Sequence, residues 1–115
     1  MELKVIRLDH NIRLIRLIGT LDVSGTGEIE SRFATQCAGN NARVIVDLSE
    51  ADFLASVGIR MLKLIAKSVV RGGGKMVILN PVPDVKRVLE ATGIPDIIPV
   101  YSYLESAETV LMASK

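Results

Sequence analysis

The chain contains no tryptophan, two phenylalanines, two tyrosines, one cysteine and one histidine. Each shortage removes a class of function. Without aromatic side chains in number there is no platform on which nucleobases stack. The single Cys37 excludes an intramolecular disulfide and fits a reducing compartment. His10 stands alone in a turn, with no partner at ligand spacing, which argues against a metal site. A Ser-His-Asp triad would need that histidine beside a serine at the other end of the expected sheet. Fourteen Lys and Arg stand against thirteen Asp and Glu, a net charge of +1, and the cations do not cluster along the sequence. Bulk charge therefore gives no grip on nucleic acid or on a membrane surface. No apolar run approaches the roughly 20 residues that cross a bilayer, so no membrane insertion is expected. The first residues carry no secretory hydrophobic stretch. A single cytoplasmic domain over residues 1–115 is expected, and a 49% hydrophobic composition is enough to fill its core.

What is present is a succession of apolar runs and amphipathic stretches. Residues 3–8 and 12–18 are apolar and β-branched, with Asp9-His10-Asn11 between them, which predicts a hairpin with a short polar turn. Gly19-Thr20-Leu21-Asp22 ends the second strand, and Val23-Ser24-Gly25-Thr26-Gly27 reads as a loop. Ile29, Phe33 and Cys37 recur every four residues, one face of a helix ending near Gly39-Asn40. Residues 43–48 form an apolar run without alternation, the mark of a central parallel strand covered on both faces. The longest helix is expected over 57–71. Leu62, Ile65, Ala66 and Val69 would face inward and Arg60, Lys63, Lys67 and Arg71 outward.

Gly72-Gly73-Gly74 stops that helix. It is no phosphate-binding loop: nothing hydroxylated follows Lys75, and the run joins helix to strand. Lys75 to Leu79 is a second buried strand. Pro83 opens the next helix and Gly93 closes it. Ile97 to Val100 reads as an edge strand, since Pro99 has no N–H for a ladder. Ser102 and Glu105 form the pattern of a capping box for a last helix, with Leu104, Ala107 and Leu111 as its apolar stripe. The order β-β-α-β-α-β-α-β-α predicts an α/β fold: a five-stranded, mostly parallel sheet with about four helices and an antiparallel first strand.

In such a sheet, sites gather where strands end and helices begin. Asp22 with Ser24 and Thr26, Asp47, Ser56 and Asn80 should share that edge. Ser56 precedes the longest helix, so its hydroxyl reads as a cap for a backbone N–H. The same position also favours an added phosphate, held by the helix N-terminus. That phosphate would bring roughly two negative charges near Asp22 and Asp47. Leu54, Val57 and Met61 would form a less polar centre for a docking surface, with Arg60, Lys63 and Lys67 as its rim or as a merely solvated face.

The run Val46-Asp47-Leu48, then Phe53-Leu54-Ala55-Ser56-Val57-Gly58-Ile59, resembles the signature of the STAS domain family, typified by bacterial anti-sigma factor antagonists. Gly74 to Pro81, followed by Val85-Lys86-Arg87-Val88-Leu89, is similar to that family's next strand and helix. Gly19-Thr20-Leu21-Asp22 is similar to its early Gly-Glu-Leu-Asp turn. The resemblance covers essentially the whole chain. It implies the STAS fold and a regulatory protein without enzymatic activity or cofactor. Its unphosphorylated form would bind an anti-sigma factor with a histidine-kinase-like ATPase fold. Phosphorylation of Ser56 by that kinase would break the complex, and a metal-dependent serine phosphatase would reverse it. Asp22, Ser24, Asp47, Leu54, Ala55, Val57, Gly58, Met61 and Asn80 are the expected partner-facing residues, with a weak homodimer as a further association. A constitutive scaffold or transporter-associated subunit, with Ser56 a simple cap, is the other reading. Where well-studied members carry Asp-Ser-Ser-Gly, this chain has Ala55-Ser56-Val57-Gly58, and Thr20 replaces the early Glu. The acceptor serine is kept, but its neighbours are less polar.

Overall fold

The longest strand, ten residues mostly β-branched or leucine, pairs with three others. The computed structural model describes residues 1–113. Its strands are β1 (Glu2–Arg7), β2 (Ile12–Leu21), β3 (Arg43–Asp47), β4 (Ala51–Leu54), β5 (Lys75–Leu79) and β6 (Val100–Tyr101). Its helices are α1 (Val23–Cys37), α2 (Ser56–Arg71), α3 (Pro83–Ala91) and α4 (Leu104–Ala113). The main sheet runs β1-β2-β3-β5-β6, with β4 paired to β2 off that path. β1 is antiparallel to β2, and every other pairing is parallel. The expected class, mostly parallel sheet and antiparallel first strand are found.

Strand alternation sorts the core into two layers. Ile15, Leu17, Val44, Val46, Met76 and Ile78 pack against α1, α2 and α3 through Phe33, Leu62 and Leu89. On the opposite face Leu14, Ile45 and Val77 meet Ala107 and Leu111 of α4. Arg13 of β2 reaches the end of α1, where its guanidinium donates to the carbonyls of Gln36 and Ala38 at 2.7 and 2.9 Å. Those are helix-end carbonyls with no partner inside the helix, and the positive charge suits the negative end of the helix dipole.

Four local expectations are corrected. The sheet has a sixth strand, β4, which pairs with β2 through Thr20↔Phe53 and Leu21↔Leu54 after a register shift at Gly19. It spans four residues, too few to show an alternating pattern. Second, residues 23–27 are helix, not loop. The Asp22 carboxylate accepts from the Gly25 N–H at 2.7 Å and caps α1 immediately. Glycine is required at position 25, because a Cβ there would collide with the Thr20 carbonyl oxygen. Third, the last strand is Val100–Tyr101, preceded by a 3-10 turn at Ile94–Asp96. The Pro99 carbonyl still accepts from the Ile78 N–H, so the proline contributes the half of a ladder it retains. Fourth, α4 begins at Leu104, and the Tyr103 carbonyl accepts its first bond, from Ala107. Tyr103 thus occupies the cap position expected for Ser102.

Two glycines with one residue between them make a test of this packing. Gly27 has open space where a Cβ would go, so Gly27→Ala should stabilise by up to about 1 kcal/mol through helix propensity. Gly25→Ala gains the same propensity but must displace backbone, and should destabilise by about 1–3 kcal/mol in urea unfolding. Between them Thr26 is buried, and its hydroxyl has no hydrogen-bond partner among the described residues. Thr26→Val should raise stability by about 1 kcal/mol, because it removes an unpaired polar group at nearly constant volume.

Cys37 is buried at the end of α1, and burial pushes its thiol up to about 12, against a smaller opposing pull from Arg13. The native thiol stays protonated while the unfolded one ionises near pH 9. Its contribution to stability is therefore whole below pH 9 and lost as pH rises from there toward 12. A thiol reagent at pH 8 should label native Cys37 at least about a hundredfold more slowly than the unfolded chain. Equal rates would show that the end of α1 opens freely.

Candidate functional site

Because β2, β3, β4 and β5 run parallel, their C-terminal ends lie on one edge of the sheet. Asp22, Asp47, Ser56 and Asn80 all stand there, as the topology predicts. His10 precedes β2 and lies at the opposite edge, which removes it from any site with Ser56.

The position of Ser56 follows from β4. The Gly19 N–H donates to the Glu50 carbonyl at 3.0 Å, which brings the chain back to β2. Three pairs later the Ala55 N–H donates to the Leu21 carbonyl, also at 3.0 Å. The Ala55 carbonyl then accepts from Gly58 at 3.0 Å and Ile59 at 3.1 Å, which starts α2. Ala55 is therefore the cap residue, and it has no side-chain oxygen to serve the first turn. Ser56 is the first residue inside the helix and is exposed. Its hydroxyl makes no hydrogen bond among the described residues. The expected capping role is thus corrected: the serine oxygen is left unengaged. Gly58 lets α2 approach so closely that a Cβ there would stand 2.8 Å from the Leu54 side chain and 3.3 Å from the Leu21 carbonyl oxygen.

The remaining expected residues divide sharply. Ser24 and Asn80 are exposed, and Asp22, Ala55 and Val57 are partly exposed. Leu54 and Met61 belong to the core, and Gly58 is buried beneath them. None of these three offers side-chain surface, so the expected apolar docking centre of Leu54, Val57 and Met61 is reduced to Val57. Asp47 is also buried. One of its oxygens accepts from Arg16 Nε at 2.8 Å and the other from the Ser49 N–H at 2.9 Å. Asp22 is engaged in capping α1. Neither carboxylate stands as a free charge waiting for a phosphate.

Other side chains occupy the edge instead. Phe53 is 52% exposed and Val23 76% exposed, and both sit beside the strand ends that carry Ser56 and Asp22. Asp52 is exposed and accepts from the Thr20 hydroxyl at 2.8 Å. Residues 51–54 run buried, exposed, exposed, buried, a pattern that strand alternation would not have announced in the sequence. No group of three or more metal-ligating side chains is found among the described residues. None of their helices is long and apolar enough to cross a membrane.

Comparison with known proteins agrees with this geometry. A Bordetella bronchiseptica protein, BtrV, named for anti-sigma factor antagonism, is 31% identical over 91 residues, 79% of this chain and 78% of that one. An anti-sigma factor antagonist structure from Thermotoga maritima superposes with a TM-score of 0.83 at 19% identity, covering 96% of this chain and 94% of that one. The antagonist SpoIIAA in its unphosphorylated form gives 0.75 at 20% identity, covering 95% and 96%; a phosphorylated form of SpoIIAA is also among the similar structures. The STAS domain of a SulP transporter from Vibrio cholerae gives 0.74 at 20% identity, covering 92% and 84%. At those identities the structures speak for the fold. The sequence model of the STAS domain matches residues 4–107, from β1 into α4, and the chain belongs to the STAS domain family.

Proposed function

We propose that this protein is an anti-sigma factor antagonist switched by phosphorylation of Ser56. The reading rests most on one observation: the Ser56 hydroxyl is exposed, makes no hydrogen bond among the described residues, and stands at the first position of α2. A structural capping serine would have its oxygen engaged. The similarity to BtrV adds the partner class. In this reading the unphosphorylated edge binds an anti-sigma factor with a histidine-kinase-like ATPase fold. That partner phosphorylates Ser56, and a metal-dependent serine phosphatase restores it.

The local chemistry suggests how the switch acts here. Ala55 and Val57 flank the serine, with Phe53 and Val23 exposed on the same edge. A partner that covers this edge must exclude water from apolar surface. A phosphate on Ser56 carries about 1.5 to 2 negative charges and would have to be desolvated in the same interface. Loss of binding then comes chiefly from that desolvation, since Asp22 and Asp47 are already engaged. The α2 N-terminus stabilises the phosphate in the free protein, which biases the equilibrium further toward dissociation.

Calorimetry with the cognate anti-sigma kinase tests this. Ser56→Asp should weaken binding at least about tenfold, while Ser56→Ala should stay within about threefold of the parent. Phe53→Ala should cost about 2 kcal/mol of binding in the unphosphorylated state. Equal binding by Ser56→Asp and Ser56→Ala would instead favour a constitutive or transporter-associated role, the reading that the SulP domain's shared fold keeps in view.

A further inference from the structure

A second surface lies on α2, away from Ser56. Arg60, Lys63, Lys67 and Arg71 are the charged residues of this helix, which carries no carboxylate. None of them forms an ion pair among the described residues. Apolar side chains interrupt this basic face: Leu64 is 56% exposed and Val70 62% exposed. At a helical pitch of 100° per residue, Arg60, Leu64, Lys67 and Arg71 fall on one stripe, with Lys63 and Val70 along its flank.

That flank borders a recess. Val70 and Ala66 of α2, Ile97 and Pro99 before β6, and Lys75 at the start of β5 line a cavity of about 330 Å³. Its described lining is apolar except for Lys75, and Ile97 is exposed at its mouth. An isolated exposed Leu or Val needs no explanation. Here three exposed apolar side chains lie among five cations, with a recess between them. The chain as a whole is nearly neutral, at +1, so this concentration of positive charge is local.

We infer that the outer face of α2, with the recess between Val70 and Ile97, is a docking surface for an acidic protein segment bearing apolar anchors. The cations would meet its carboxylates, and an apolar side chain would enter the recess. Charge complementarity sets the sign of the partner. The exposed Leu64, Val70 and Ile97 favour protein over nucleic acid, which would leave apolar side chains unused. A bilayer surface is disfavoured because no aromatic residue lies on this face. Val70 lies about 21 Å along the helix from Ser56, fourteen residues at 1.5 Å each. The recess and the cations from Lys63 onward are therefore separate from the switch, which Arg60 alone of this face adjoins, one turn from Ser56.

Amide chemical shifts of the isotope-labelled full chain would be followed during titration with a synthetic glutamate-rich peptide carrying leucine at every fourth position. Saturable shifts should centre on residues 63–75 and Ile97. Lys67→Glu and, separately, Val70→Ser should each weaken the peptide by about tenfold, and added salt should weaken it further. Ser56→Asp should leave its affinity unchanged, whatever that variant does to an anti-sigma factor. The inference is overturned if no saturable binding occurs, or if replacing the peptide's leucines with serine changes nothing. It is likewise overturned if neither substitution matters, or if duplex DNA or phosphatidylglycerol vesicles bind this face more tightly than the peptide.

Discussion

Midway along its length β2 changes partner, and the Ser56 edge depends on that change. Its first half pairs with β3, from Ile12↔Arg43 to Arg16↔Asp47. Its last three residues pair with β4. Between the two ladders β3 departs toward β5, where the Leu48 N–H donates to the Leu79 carbonyl at 3.1 Å. The chain must then return to β2 within a few residues. Gly19, at a φ of 114°, adopts a conformation that side chains with a Cβ rarely take, and the shift in register occurs there. Without that fork β4 has no partner, and α2 has no fixed starting point.

Asp47 stands at the fork and explains how it is held. Burying a carboxylate costs several kcal/mol unless its oxygens find partners. Here Arg16, from the last β2–β3 pair, takes one oxygen, and the Ser49 N–H takes the other. The first bond ties Asp47 to β2, and the second turns the backbone after β3. Glu50 lies 3.7 Å from Arg16 Nε and adds a weaker attraction at the surface. Asp47 thus serves the edge by fixing its backbone, not by presenting charge.

The contrast between what sequence made legible and what it did not follows from this fork. The central strands, the long helix, the triple-glycine stop and the parallel order were readable because each rests on periodicity or on glycine and proline chemistry. β4 was not, since a four-residue strand has no period to detect. The roles of Asp47, Leu54 and Met61 went unread for a related reason. Apolar spacing on α2 showed which residues could face inward. It did not show that Met61 is buried as well, or that Gly58 brings the helix against Leu54 and Leu21. A carboxylate at a strand end looks the same in sequence whether it faces solvent or a neighbouring arginine. Ser56 was read as the residue before the helix with its hydroxyl assigned to the backbone, yet it is the first residue of α2. The cap position belongs to Ala55, one residue earlier.

That one-residue offset has a dynamic consequence. A helix whose cap residue lacks a side-chain acceptor forfeits about 1 kcal/mol at its first turn. Since 1 kcal/mol is roughly a fivefold change in a population ratio, the turn holding Ser56 unwinds about five times more often than a capped turn would. Behind it, Ile59 and Leu62 stay locked in the core. Brief fraying of this kind exposes the serine as extended chain while the sheet remains intact. An alanine at position 55 thus keeps the hydroxyl both chemically free and physically reachable.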